Sequence, residues 1–347
     1  MTTPYVLATC KPQTLSVFDD AGRVLPERVE HNIADYCTRI RRAADEHGAR
    51  LIAFPQFGLS GHAMVGNDQW VAAALDFDGP EIERIARAAR DADAYVVLQA
   101  AERHAAFPNS YFLSSALLTP AGNVGMVYRK HYTLSLRTSP IDVHDAFVAT
   151  FGRDAFFPVL DTPIGCIGLT IGAEVHWPEV THSLALNGAE IIVNPIASPV
   201  SLDYLERAGA EHVRGVRAFE NMTYLAVANM AAPAAPPSKI YDYAGASIGS
   251  EADGGFTLAT IDLAALRAAR GAPAANLLAE IQPDIHAPLE SFALWPRHAQ
   301  PPPPARSFGD LVAIETASWR RLRARTETAH SQRVSSPGDL NPISGLG

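Results

Sequence analysis

The sequence predicts an α/β domain. Short runs rich in β-branched and aromatic residues alternate with longer amphipathic stretches, this alternation runs once through each half of the chain, and glycine or proline closes many of the segments. With 347 residues, 48% hydrophobic and 19% charged, one large domain or two smaller ones can bury a substantial core, and disorder throughout is ruled out.

Tyr5–Cys10 reads as the first strand. Glu27–His47 reads as a helix because Val29, Ile33, Tyr36, Ile40 and Ala44 fall on one face, and Gly48 ends it. Leu51–Phe54 is a strand stopped by Pro55, Glu81–Asp91 a helix, and Tyr95–Ala100 and Tyr111–Leu118 strands. Val124–Tyr128 is a strand that runs straight into Arg129-Lys130. In the second half Gly165–Ile171 is a strand, Pro178–Asn187 a helix closed by Gly188, and Glu190–Pro195 a strand. A helix around Arg207–Asn221 and a strand Tyr224–Asn229 follow, and Ala244–Ile248 and Phe256–Ile261 pair as a hairpin across Asp253-Gly254-Gly255. Residues 1–270 form the domain on this reading. Residues 271–347 form a Pro-rich arm with an amphipathic helix at Asp310–Thr328 carrying Leu311, Ile314, Trp319 and Leu322, which packs on its own domain or on a neighbouring subunit.

The formal charge of -9 and the lack of long basic runs argue against nucleic acid or an anionic membrane as the main partner. No charged segment followed by an apolar stretch opens the chain and no ~18-residue apolar run occurs later, so a cytoplasmic protein is expected. Cys10, Cys37 and Cys166 are odd in number and irregular in spacing, which suggests neither a disulfide framework nor a zinc site; no metal and no cofactor is expected. His-Glu-x-x-His, Gly-x-Ser-x-Gly and Walker-type motifs do not occur. Only three of the 28 basic residues are lysines, Lys11, Lys130 and Lys239, and arginine does not replace a lysine that must be a compact donor.

Three segments place side chains just past strand ends, where open α/β sheets bind ligands: Phe54-Pro55-Gln56-Phe57-Gly58-Leu59-Ser60-Gly61-His62, Tyr128-Arg129-Lys130-His131, and Ile171-Gly172-Ala173-Glu174-Val175-His176-Trp177-Pro178-Glu179. Further islands are Gly48-Ala49-Arg50-Leu51-Ile52, Asp78-Gly79-Pro80, Glu102 with Asn109-Ser110, Gly188-Ala189-Glu190 with Asn194-Pro195, and Arg217-Ala218-Phe219-Glu220-Asn221 with Ala228-Asn229. In this order they resemble the nitrilase, or carbon–nitrogen hydrolase, superfamily from about Tyr5 to Ala269. The resemblance implies a four-layer αββα sandwich, commonly assembled as a homodimer or larger homo-oligomer, and hydrolysis of amides, nitriles or carbamoyl groups by a Glu-Lys-Cys triad.

Carried over position by position, the triad reads Gln56, Lys130, Gly172. Glycine offers no nucleophile, and a neutral carboxamide does not accept a proton near pH 7, so thiol hydrolysis is not expected at this site. Cys166 lies on the same strand roughly 20 Å from residue 172 if the chain is extended, and Cys10 and Cys37 read as core. Glutamine nearly matches glutamate in shape, so a pocket is retained, with Lys130, Gln56 and Glu174 as its acting residues. Glu174 matches the acidic residue of the family motif, with helix capping as its plain alternative. Gly172, the Ala173 N–H, His62, His176 and Trp177 adjoin the ligand on this reading, and Asp142 is the nearest analogue of a second pocket acid. The expectation is a small-molecule-binding protein of this fold with altered, non-thiol chemistry such as elimination, hydration or rearrangement. The rivals are a non-catalytic binding or scaffolding protein and an ordinary carbon–nitrogen hydrolase.

Overall fold

Strand parity builds the layers, because successive side chains of a strand face opposite sides of its sheet. The structure, a computed structural model, describes residues 3–132, 139–197, 209–231, 235–272 and 276–280, with a few isolated positions beyond. In chain order the elements are β1 (Tyr5–Cys10), α1 (Pro26–His47), β2 (Ala49–Ala53), α2 (Asn67–Ala73), α3 (Pro80–Asp91), β3 (Tyr95–Glu102), β4 (Phe112–Leu118), β5 (Val124–Arg129) and α4 (His144–Phe151). The second half runs β6 (Val159–Thr162), β7 (Gly165–Leu169), α5 (Pro178–Leu186), β8 (Ile191–Ile196), α6 (Gly209–Glu220), β9 (Tyr224–Asn229), β10 (Lys239–Tyr241), β11 (Ser250–Ala252), β12 (Phe256–Ile261) and α7 (Leu263–Arg270).

A seven-stranded sheet has the order β11-β12-β1-β2-β3-β4-β5 and a five-stranded sheet the order β10-β9-β8-β7-β6. Each sheet is parallel at its centre, through β1-β2-β3 and β7-β8-β9, and antiparallel toward its edges. Leu7, Leu51, Val97 and Tyr128 of the larger sheet meet Ile167, Leu169, Val193 and Ala226 of the smaller one in the inner core. On the outer face of the larger sheet Ala8, Ile52 and Leu98 pack against Ile33, Tyr36 and Ile40 of α1 and Ile82 and Ile85 of α3. On the outer face of the smaller sheet Ile192, Leu225 and Val227 pack against Leu184 of α5 and Ala218 of α6. The result is the four-layer αββα sandwich.

Helix α1 begins with Pro26 in its first turn and ends at Gly48, whose φ of 63° is the left-handed cap expected there. Ala43 rather than Ala44 completes its buried face. The expected first arm of the C-terminal hairpin is corrected. Asp242 Oδ1 accepts from the N–H groups of Ala244 and Ala246 at 3.0 and 2.9 Å, which folds this segment into a turn, and Ser250–Ala252 pairs with β12 instead. The edge strands β6 and β10 and helices α2, α4 and α7 were not anticipated. The arm's apolar positions Leu311, Ile314, Trp319 and Leu322 lie outside the described residues. Among the described residues no helix is long and apolar enough to cross a membrane.

The loop after β2 is held tightly against α1. Tyr36 stacks on Phe54 with ring centroids 3.9 Å apart, and a Cβ added at Gly58 would stand 2.0 Å from the Tyr36 hydroxyl. That hydroxyl is buried with no hydrogen-bond partner. Gly58→Ala is therefore expected to destabilise the fold by about 1–3 kcal/mol through overpacking, and adding Tyr36→Phe should return most of that loss in urea denaturation.

Candidate functional site

The strand end that carries Lys130 is oriented from both faces. Lys130 continues β5 through its N–H, which donates to Leu113 O at 2.9 Å, and it follows the parity of Met126 and Tyr128 into the space between the sheets. Arg129 faces the other way. Its guanidinium grips Glu102 with both Nε (2.8 Å to Oε2) and Nη2, Ser114 donates to the same carboxylate, and Phe151 lies 3.6 Å under the cation. This ion pair is buried, so removing one partner leaves an uncompensated charge.

Gln56 sits in the loop that leaves β2. Its N–H donates to Ile196 O at the end of β8 (3.2 Å), and the next N–H, that of Phe57, donates to Gln99 Oε1 at 2.7 Å. Phe57 holds a left-handed φ of 59°, an uncommon conformation for a non-glycine residue that turns the loop sharply. Gln56 and Lys130 are each only 5% exposed.

The third segment completes the meeting point. Gly172 follows β7 with φ +61°, and a Cβ built on it would lie 2.5 Å from Gln56 Oε1 and 3.1 Å from Lys130 Nζ. The three positions aligned from sequence are thus brought to one point, with glycine where a side chain would project at the other two. Asn194 of β8, missed as a site residue, donates from Nδ2 to Gly172 O at 3.3 Å, while its Oδ1 is buried without a partner. Its signal in the sequence is Asn194-Pro195 at a strand end, a pair that by itself marks only the fold. Strand β8 therefore supports two of the three segments.

Glu174 corrects the expectation of an acting acid. It is completely buried; Oε1 accepts from Tyr128 Oη (2.9 Å), His131 N (2.7 Å) and Tyr132 N (3.1 Å), and Oε2 from Ile171 N (3.0 Å) and, weakly, Thr170 Oγ1 (3.5 Å). Five donors of the protein itself engage this carboxylate, which ties the end of β5 to the turn after β7. Burial, then the nearby Glu174 charge, pushes the Tyr128 phenol well above its ordinary range, so it remains a donor.

The other expected residues have surroundings of their own. Ala173 is the second residue of the short 3-10 turn Gly172–His176 and is half-buried. Trp177 stacks on Tyr132 at 4.7 Å. His176 faces α6, where Arg217 donates to the carbonyls of Val175 and His176, and burial together with Arg214 and Arg217 pushes its imidazole down to about 4. His62 packs edge-on against Phe57. Asp142 is buried and closes its own turn by accepting from Ser139 N at 2.9 Å. Burial raises all three thiols, Cys166 to about 11, so none of them is a thiolate near neutral pH.

The family model described as carbon-nitrogen hydrolase matches residues 22–270. A probable nitrilase of Schizosaccharomyces pombe is 27% identical over 204 residues, 58% of this chain and 69% of the relative. An (R)-stereoselective amidase of Pseudomonas sp is 28% identical over 181 residues, 52% of this chain and 58% of the relative. Among solved structures the chain is similar in fold to a double mutant of the amidase from Nesterenkonia sp. AN1, in which glutamine replaces a glutamate and alanine a cysteine, in complex with acrylamide. The TM-score is 0.57 at 20% identity, covering 82% of this chain and 97% of that one.

Glu174→Gln places an NH2 group against donors and is expected to cost about 2–4 kcal/mol in urea denaturation, since hydrogen bonds to a charged group contribute roughly 1.5–3 kcal/mol each and lost ones are only partly replaced. His176 is neutral in the folded protein down to about 4, whereas the unfolded chain protonates it near its ordinary value of 6.5. The unfolded state then binds more protons, so stability falls as pH drops from about 6.5 towards 4. His176→Gln should flatten the dependence of Tm on pH in that window.

Proposed function

The chain belongs to the carbon–nitrogen hydrolase family, and from that premise we propose that it binds a small amide, nitrile or carboxylate-type molecule between Gln56, Lys130 and Gly172 and acts on it without a cysteine nucleophile. The observation that carries this reading is the convergence of Gln56 and Lys130 on the Gly172 backbone, where a Cβ would stand 2.5 Å from Gln56 Oε1 and 3.1 Å from Lys130 Nζ, so that the end of the Gln56 side chain fills the place a side chain of residue 172 would take. With the end of the Gln56 side chain turned aside, a ligand oxygen accepts from the Lys130 ammonium, which polarises the carbon it is bonded to, and the Gln56 carboxamide orients the ligand. Glu174 and Asn194 hold the backbone that shapes the room. The chemistry is of a non-thiol kind, such as hydration, elimination or rearrangement, and the protein acts as a cytoplasmic homodimer or larger homo-oligomer. Half-exposed Leu186 of α5 and Val216 and Phe219 of α6 support a subunit contact on that helical layer.

The acrylamide bound to the Nesterenkonia double mutant supports small-amide binding by this fold after glutamine and alanine replacements. The relatives' names favour an ordinary hydrolase as the second reading. That reading needs another activated thiol, and the raised thiol of Cys166, on the β7 strand before the turn, argues against it.

Two substitutions test the assignment. Gly172→Cys with Gln56→Glu is expected to produce one stoichiometric adduct with fluoroacetamide at residue 172, read by peptide mass spectrometry, while the unaltered protein gives none. The clash at 2.5 Å is with the far end of the residue 56 side chain, which can turn aside. Lys130→Ala should abolish ligand binding, and an adduct on Cys10, Cys37 or Cys166 of the unaltered protein would instead support the hydrolase reading.

A further inference from the structure

Resting on that reading of the site, we infer that the Gln56 side chain is a built-in plug: in the resting protein its carboxamide occupies the place a ligand takes, and a ligand enters only as that side chain turns aside. A Cβ built on Gly172 would stand 2.5 Å from Gln56 Oε1, closer than packed atoms tolerate, and 3.4 Å from Gln56 Cδ. The end of residue 56 and a side chain at residue 172 therefore exclude one another. The two departures from the family triad act as one device, in which glycine leaves the space and glutamine fills it. Gln56 is only 5% exposed, so its carboxamide closes the strand-end crevice rather than projecting into solvent.

The movement is confined to the side chain. The Gln56 N–H donates to Ile196 O at 3.2 Å and the Phe57 N–H to Gln99 Oε1 at 2.7 Å, which pins the loop backbone on both sides of the Gln56 side chain. On the facing segment Asn194 Nδ2 donates to Gly172 O at 3.3 Å, so the floor of the space is held as well. Beyond its Cα the glutamine turns about staggered single bonds, and its end group is neutral, so turning it takes no charge through buried surroundings. A ligand then binds only the fraction of molecules in which the plug stands open, and its apparent affinity falls by that fraction.

Removing the plug and returning its missing part as a free molecule tests this. Acetamide corresponds to the glutamine side chain beyond Cβ and is the probe for Gln56→Ala; propionamide, the next homologue, is the probe for Gln56→Gly. Affinities are read by ligand-observed NMR titration of the full-length protein, and thermal unfolding reports whether each variant is folded. Each variant should bind its amide at least about tenfold more tightly than the unaltered protein does, and adding Lys130→Met should remove the gain. Unaltered protein that binds both amides as tightly as the variants, with Lys130→Met abolishing that binding, would overturn the plug and leave the site reading standing. A gain that survives Lys130→Met would support the plug and overturn the part of the site reading that gives the ligand to Lys130. Folded variants that bind neither amide would overturn both.

Discussion

The Glu174 carboxylate is the interaction on which the arrangement of the site depends. It is buried between the two sheets and joins the end of β5 in the larger sheet to the turn after β7 in the smaller one. A carboxylate buried in that position is stable only because donors from both sides converge on it, and four of the five contacts are between 2.7 and 3.1 Å. The backbone N–H of His131, next to Lys130, and that of Ile171, next to Gly172, both donate to this one side chain. One side chain thus links the backbone next to Lys130 to the backbone next to Gly172.

The remaining supports fix the backbone near the candidate site in other ways. The Arg129–Glu102 pair takes the residue beside Lys130 to the outer face of the sheet, and strand parity then carries Lys130 inward. Ile196 O holds the N–H of Gln56, and Asn194 holds the carbonyl of Gly172, so β8 aligns two segments that are far apart in sequence. Gln56 and Lys130 are thereby held on a preorganised backbone, and on the proposed reading these two side chains meet the ligand.

Much of this was legible in the sequence because it follows from local periodicity and from motif spacing. β1 and β9 fall at the residues that alternation and β-propensity indicated, and Gly48 caps α1 in the left-handed conformation for which glycine is suited. The convergence of Gln56, Lys130 and Gly172 was legible through the motif alignment, which places three strand ends in one crevice. What escaped depends on partners distant in sequence. Nothing near Glu174 indicates that Tyr128, His131 and Tyr132 will donate to it, and Asn194 gains its role only from the parallel pairing of β7 with β8. The short edge strands β6 and β10 have three or four residues each, too few for a period, and the turn at Asp242 is made by a side chain capturing N–H groups rather than by apolar alternation.

On the proposed reading the Gln56–Lys130–Gly172 site holds its ligand without a thiol. A crystal structure of the protein grown with a small carboxylate tests it most directly. The predicted result is ligand density with a carboxyl oxygen within hydrogen-bond distance of Lys130 Nζ, the carboxyl group lying over the Gly172 backbone, and no covalent bond to the protein. Density for an acyl group joined to Cys10, Cys37 or Cys166, or a ligand seated elsewhere with this room empty, would contradict it.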